Sequence, residues 1–166
     1  MHLRTQLSTA RRRPAALLLG LAAGLAAGLA GLLPQPARAA LGGDLGSVDR
    51  DHAALQAQRV VTPMPSYDRH ELTAASGLRI REYVDRSGRV FAVSWQGPQL
   101  PDLGQLLGVY AERYAAAVRA RQGTHRRLVL RAPDFELSAV RLPRGWSGLA
   151  LLPAALPADL SREELR

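Results

Sequence analysis

The first 39 residues fix how much of this chain is available to fold. Arg4 and the run Arg11-Arg12-Arg13 precede an uncharged apolar stretch over residues 15–33, which ends at Pro34, Pro36 and the small-residue site Ala37-Arg38-Ala39. A positive head, a greasy middle and small residues flanking a scissile bond make a secretory signal peptide, so residues 1–39 read as a leader cut between Ala39 and Ala40. About 19 uncharged residues also approach the thickness of a bilayer core, and an uncleaved anchor is the competing reading. Gly20, Gly24, Gly28 and Gly31 lower the helix propensity of the stretch, and two prolines precede a well-formed Ala-x-Ala, which favours cleavage. The arginine run hints at the twin-arginine route, although Pro14 and Ala15 follow it where bulkier apolar residues belong. The expected place of work is the periplasm or the medium, with membrane contact only through an uncut leader.

The remaining 127 of 166 residues suffice for one domain with a single core. Five arginines leave with the leader while all 14 acids stay, so the formal charge falls from +8 to +3. That excess is too small for a nucleic-acid or membrane-surface argument, and no nucleic-acid partner is expected. All 22 basic residues are arginine, so an arginine here also fills solvated positions where other chains use lysine. Cysteine is absent, which excludes disulfides, lipid attachment through a thiol and cysteine-type zinc sites.

Residues 40–152 read as a single α+β domain, and 153–166 as a flexible tail rich in proline and then charge. A first helix is expected over 47–59, capped by Ser47 with Asp49 and Asp51 in its first turn. Pro63 and Pro65 close it. Period-two alternation then predicts strands over 67–73, 78–84 and 89–95, joined by Ala75-Ser76-Gly77 and Asp85-Arg86-Ser87-Gly88 as hairpin turns. The clearest helix runs over 101–121, where Leu103, Leu106, Leu107, Tyr110, Tyr114, Ala117 and Val118 recur at three and four, and Gly123 ends it. Strands are expected over 126–131, 135–142 and 149–152, with Arg144-Gly145-Trp146-Ser147-Gly148 as a turn. The expected fold is therefore an antiparallel sheet of five to six strands carrying one long amphipathic helix and a shorter N-terminal one.

No strong catalytic signature emerges. His70-Glu71 opens like a zinc-protease motif, but position 74 is Ala and the context is strand, so a surface pair is the better account. Gly145-Trp146-Ser147-Gly148 resembles part of a nucleophile elbow whose last glycine falls one place early. His52, His70 and His125 lie in different elements with no ligand spacing, and Glu82 among Arg79 and Arg81 suggests a cross-strand ion pair. Neither catalytic, metal nor cofactor-binding residues are assigned. Arg119, Arg121, Arg126, Arg127 and Arg131 form the densest basic segment, either a solvated face or a contact for an anionic ligand. Trp146, flanked by glycine, is the aromatic best suited to an exposed contact, and with Arg126 and Arg127 it makes the candidate contact set for an anionic ligand or an envelope protein.

Three stretches carry a resemblance: Ala40-Leu41-Gly42-Gly43; Arg81-Glu82-Tyr83 through Gly88-Arg89-Val90-Phe91-Ala92-Val93-Ser94-Trp95; and Gly97-Pro98 through Pro101-Asp102-Leu103 to Leu106-Leu107-Gly108-Val109-Tyr110. Together they resemble a family of exported proteobacterial proteins defined as a domain of unknown function, DUF2844. The resemblance implies export and a single domain, and it brings no site residues. The function expected is a non-catalytic binding or interaction module, against a small periplasmic hydrolase whose histidine, carboxylate and hydroxyl assemble only in space.

Overall fold

The computed structural model describes residues 41–120 and 126–165. Everything expected of residues 1–39, of the cut before Ala40, and of Arg121, Gly123 and His125 lies outside the described residues. Seven strands form one antiparallel sheet: β1 (Gln58–Pro63), β2 (Tyr67–Thr73), β3 (Arg79–Asp85), β4 (Val90–Gly97), β5 (Arg127–Ala132), β6 (Phe135–Leu142) and β7 (Gly145–Leu151). Their order is β1-β2-β3-β4-β7-β6-β5, so two meanders meet where β4 pairs with β7.

This corrects the expectation of five to six strands. The additional strand is β1, hidden because helix α1 (Leu45–Leu55) stops four residues before Arg59. Gln56 takes a left-handed conformation, φ 45°, and the amides of Gln56 and Ala57 donate to the carbonyls of Ala53 and His52. That reversal returns the chain alongside β2, with Val60 opposite Glu71 and Val61 opposite His70. At the other end, Gly145-Trp146-Ser147-Gly148 is strand rather than turn, since both neighbours pair with it and the reversal falls on Pro143-Arg144.

The single long helix is also corrected. It is broken into α2 (Leu103–Leu107), a 3-10 turn over Gly108–Tyr110, and α3 (Ala111–Arg119). Gly108 makes the break at φ 52° and ψ −122°, a conformation side chains other than glycine's resist. The apolar spacing hides it, because Leu103, Leu106 and Leu107 before the break and Tyr110, Tyr114 and Ala117 after it all still reach the same core. Asp44 and Asp102 start α1 and α2, each carboxylate accepting from the amide three residues on, at 3.0 and 3.1 Å. Among the described residues, no helix is long and apolar enough to cross a membrane.

Both faces of the sheet are partly covered. On one, α1, α2 and α3 close over Leu72, Ile80, Val93, Trp95, Leu137, Ala139 and Ala150. On the other, residues 153–165, expected from sequence to be a loose tail, hold two 3-10 turns and bury Leu160 and Leu165 against Tyr67, Tyr83, Phe91, Leu149 and Leu151. A shift of register between β3 and β4 at Tyr83/Val84 lets Phe91 and Ala92 both join that second cluster while Val90 and Val93 join the first. Leu165 is fully buried. Leu165→Ala is expected to cost about 2–3 kcal/mol in urea denaturation, from the lost burial and the cavity left behind; an unchanged midpoint would mean the segment does not hold this place in solution.

Candidate functional site

Alternation sorts the polar residues of the sheet into two groups with different access to solvent. The helix-covered face carries a register row of Val61, His70, Glu82, Val93, Ala150 and Leu137, so two titratable side chains interrupt an otherwise apolar strip. Asp51 comes down beside Glu82 from α1, whose buried side is Ser47, Val48 and Asp51. Glu82, Asp51 and His70 are all nearly inaccessible, at 0, 1 and 4% exposure.

The chemistry of this cluster follows from its hydrogen bonds. Gln105 of α2 donates to Asp51 Oδ1, while Asp51 Oδ2 and both Glu82 oxygens meet no donor from any other group. A proton shared between the two carboxyls joins Asp51 Oδ2 to one Glu82 oxygen and leaves the other Glu82 oxygen without a donor, and burial together with the neighbouring Asp51 pushes Glu82 up to about 9. Arg59 of β1 donates to His70 Nδ1, from Nε at 3.2 Å and from a terminal nitrogen at 2.6 Å, and also bridges to Asp49 at 2.5 Å. Burial, and then the Arg59 charge, hold His70 below its ordinary range, so the ring is neutral with its hydrogen on Nε2. His70-Glu71 is thus not a surface pair, and Glu82 forms no ion pair with its flanking arginines. Glu71, on the opposite face, takes both: Arg81 at 2.6 Å and Arg79 at 3.5 Å.

That opposite face is open where residues 153–165 leave it. Two register rows cross it: Glu71, Arg81, Ser94, Leu149, Ser138 and Val129, and beside them Thr73, Arg79, Gln96, Ser147, Val140 and Arg127. All of these but Glu71, Thr73 and Val129 line a hollow of about 320 Å³, together with Trp95 and Gly148, with arginines at its two ends and serines between. Ser94 is anchored by the Tyr83 hydroxyl at 3.4 Å. The Glu71 carboxylate fixes the Arg81 guanidinium and is itself held below its ordinary range by that hydrogen bond. An adjoining hollow continues over Arg127, Arg131, Glu136, Arg162 and Glu163, where Arg162 bridges Glu136 at 2.9 Å.

The candidate contact residues from sequence fall apart in space. Arg127 lines the main hollow; Arg126 is exposed just before β5; Trp146 is half-buried in β7 with the Arg141 guanidinium 5.6 Å from its ring centre. Trp146 lines a recess at the end of the sheet, with Gly97, Pro98 and Gly145, which adjoins the main hollow through Arg79 and Gln96. Sequence reasoning missed Arg79, Arg81, Ser94, Gln96, Ser138 and Ser147. Each alternates correctly on its own strand, but only the β4–β7 pairing brings them together. It also missed the Asp51–Glu82 pair, which needs α1 seated over β3. Among the described residues, no group of three or more histidines and carboxylates is arranged to hold a metal ion.

Comparison with known proteins places the chain as a whole. No curated protein and no solved structure matches it. A family model described as a protein of unknown function, DUF2844, matches residues 37–165, taking in all seven strands and all three helices, and the chain therefore belongs to the DUF2844 family.

Proposed function

We propose that this protein works outside the cytosol as a non-catalytic binding module that receives its ligand on the open face of the sheet. The leader pattern of residues 1–39 supports the location. The hollow between Arg79 and Arg127 carries the functional reading: it is solvent-accessible, mixes polar and aliphatic side chains, and is built from five strands, β3 and β4 of one meander and β5, β6 and β7 of the other. Its side chains offer donors, acceptors and positive charge without a base or a nucleophile–base pair. The rival reading, a small hydrolase, requires a histidine with a hydroxyl and a carboxylate in a reachable pocket. His70 instead accepts from a guanidinium at Nδ1 and is only 4% exposed.

Ser147→Trp tests the reading by filling the hollow from within. Thermal-shift screening of the purified protein against fractions of its native envelope is expected to find a fraction that raises the melting temperature of wild type and not of a folded Ser147→Trp variant. Stabilisation that survives the plug would overturn the reading, as would hydrolysis of a generic ester or phosphate substrate that disappears in His70→Ala.

A further inference from the structure

We infer that the hollow on the open face takes an elongated acidic oligosaccharide, with carboxylates gripped by arginines at its two ends and ring hydroxyls met by serines and glutamine between. The inference rests on the open face being the ligand-facing surface and names what that surface takes.

The length comes first. Arg79 and Arg81 stand on β3 and Arg127 on β5, four strand spacings apart in the order β3-β4-β7-β6-β5. At about 4.8 Å per spacing the backbones that carry the two ends lie roughly 19 Å apart across the strands. That span suits a chain of linked units better than a single phosphate or monosaccharide.

Charge decides the sign of the ligand. Over the two adjoining hollows, Arg79, Arg81, Arg131 and Arg162 outnumber Glu71, Glu136 and Glu163 before Arg127 is counted, an excess of positive charge. Arg81 is already oriented by Glu71, and the Arg79 side chain keeps 48% of its surface exposed, so a planar guanidinium is presented for two-pronged contact with a carboxylate.

The centre decides the chemistry. Ser94, Ser138 and Ser147 carry hydroxyls and Gln96 an amide, groups that both donate and accept. They complement alcohols, which also do both, better than they complement a bare anion. Val140 and Leu149 supply small aliphatic patches against which the C–H faces of sugar rings pack. The one aromatic in the lining, Trp95, is only 2% exposed, and Trp146 lines the neighbouring recess, so no broad aromatic platform is presented for stacked bases, which argues against a nucleic-acid strand.

Calorimetric titration of the purified protein with tetragalacturonate tests this, using the fully methyl-esterified tetramer and the monomer as controls. The acid tetramer is expected to bind with an affinity that falls as salt is raised. Esterification is expected to weaken it at least tenfold, the monomer to give no measurable heat, and Arg79→Gln and Arg127→Gln each to weaken the tetramer by about tenfold. Equal affinity for acid and ester, or indifference to both arginine variants, would overturn the inference. If tetragalacturonate gives no heat while a native fraction still stabilises wild type and not Ser147→Trp, the acidic-sugar assignment falls and the open face stands. If the plug leaves all binding intact, both fall.

Discussion

Gly148→Ala is expected to destabilise the domain by more than about 3 kcal/mol, or to keep it from reaching the native state. Gly148 of β7 lies directly opposite Trp95 of β4, and the indole crosses the space a side chain at 148 would occupy. A Cβ there would stand 2.1 Å from Trp95 Cζ2 and 2.4 Å from Cε2, distances that atoms of a packed core never adopt. Trp95 cannot swing aside. It is 2% exposed, with Ile80 next to it on β3 and the helix-side core around it. Overpacking of this kind commonly costs about 1–3 kcal/mol, and a methyl driven into a fixed ring lies beyond the upper end. The check is the urea midpoint, with Trp95 fluorescence followed in a Trp146→Phe background. Adding Trp95→Leu to Gly148→Ala should recover part of the loss, because the two positions share one space. A lone Gly148→Ala with wild-type stability would place the indole elsewhere.

The second large effect is on pH dependence, and it comes from the carboxyls under α1. The folded state holds Glu82 at about 9 against 4.5 for an unpaired glutamate, by burial first and then by its hydrogen bond to Asp51 and that group's charge. The folded protein therefore binds a proton that the unfolded chain releases between those values. The stabilisation is complete below about pH 4.5 and is lost as pH rises toward 9, at up to about 1.4 kcal/mol per pH unit. Asp51 is raised too, mainly by burial, and its contribution has the same sign. His70 acts oppositely: burial and Arg59 depress it, so its contribution is present above about 6.5 and is lost as pH falls through its lower folded value. Asp49 neutralises Arg59 from the α1 side, and Gln105 reaches Asp51 from α2. Wild type should accordingly be most stable on the acid side of neutrality and weaken steadily toward pH 9. Glu82→Gln replaces the proton with a permanent amide donor toward Asp51. Its melting temperature should fall much less between pH 6 and 9, crossing above wild type at the alkaline end. Parallel curves for the two proteins would show that Glu82 is already ionised in the folded state.

The elements that the chain discloses by itself are those whose pattern is local. Strands over 67–73 and 135–142 lie where the alternation puts them: Phe135, Leu137 and Ala139 keep one side of the second facing a core, while the first buries Tyr67 on one face and His70 and Leu72 on the other. The misjudged elements depend on a single backbone event or on a partner far along the chain. Gln56 ends α1 early and creates β1, whose Val60 and Val61 are exposed and show no buried alternation to read. Gly108 interrupts the 103–119 helix without disturbing its apolar spacing. Glu82 among arginines reads as a surface ion-pair partner, yet strand parity turns it inward with His70 and Val93 while Arg79 and Arg81 turn outward to Glu71. The hollow is the least legible feature. It joins β3 and β4 to β5, β6 and β7 through one strand pairing some 50 residues apart in sequence, and no local pattern specifies that pairing.

Amide-shift mapping of the isotopically labelled protein, titrated with a native fraction that raises its melting temperature, tests the ligand-facing role of the open face most directly. The account predicts that the largest changes fall on Arg81, Ser94, Gln96, Ser138 and Ser147 and spare the outer residues of α1 and α3. Changes concentrated on the β1 edge at Val60 and Val61, or on α3, with the hollow unmoved, would contradict it.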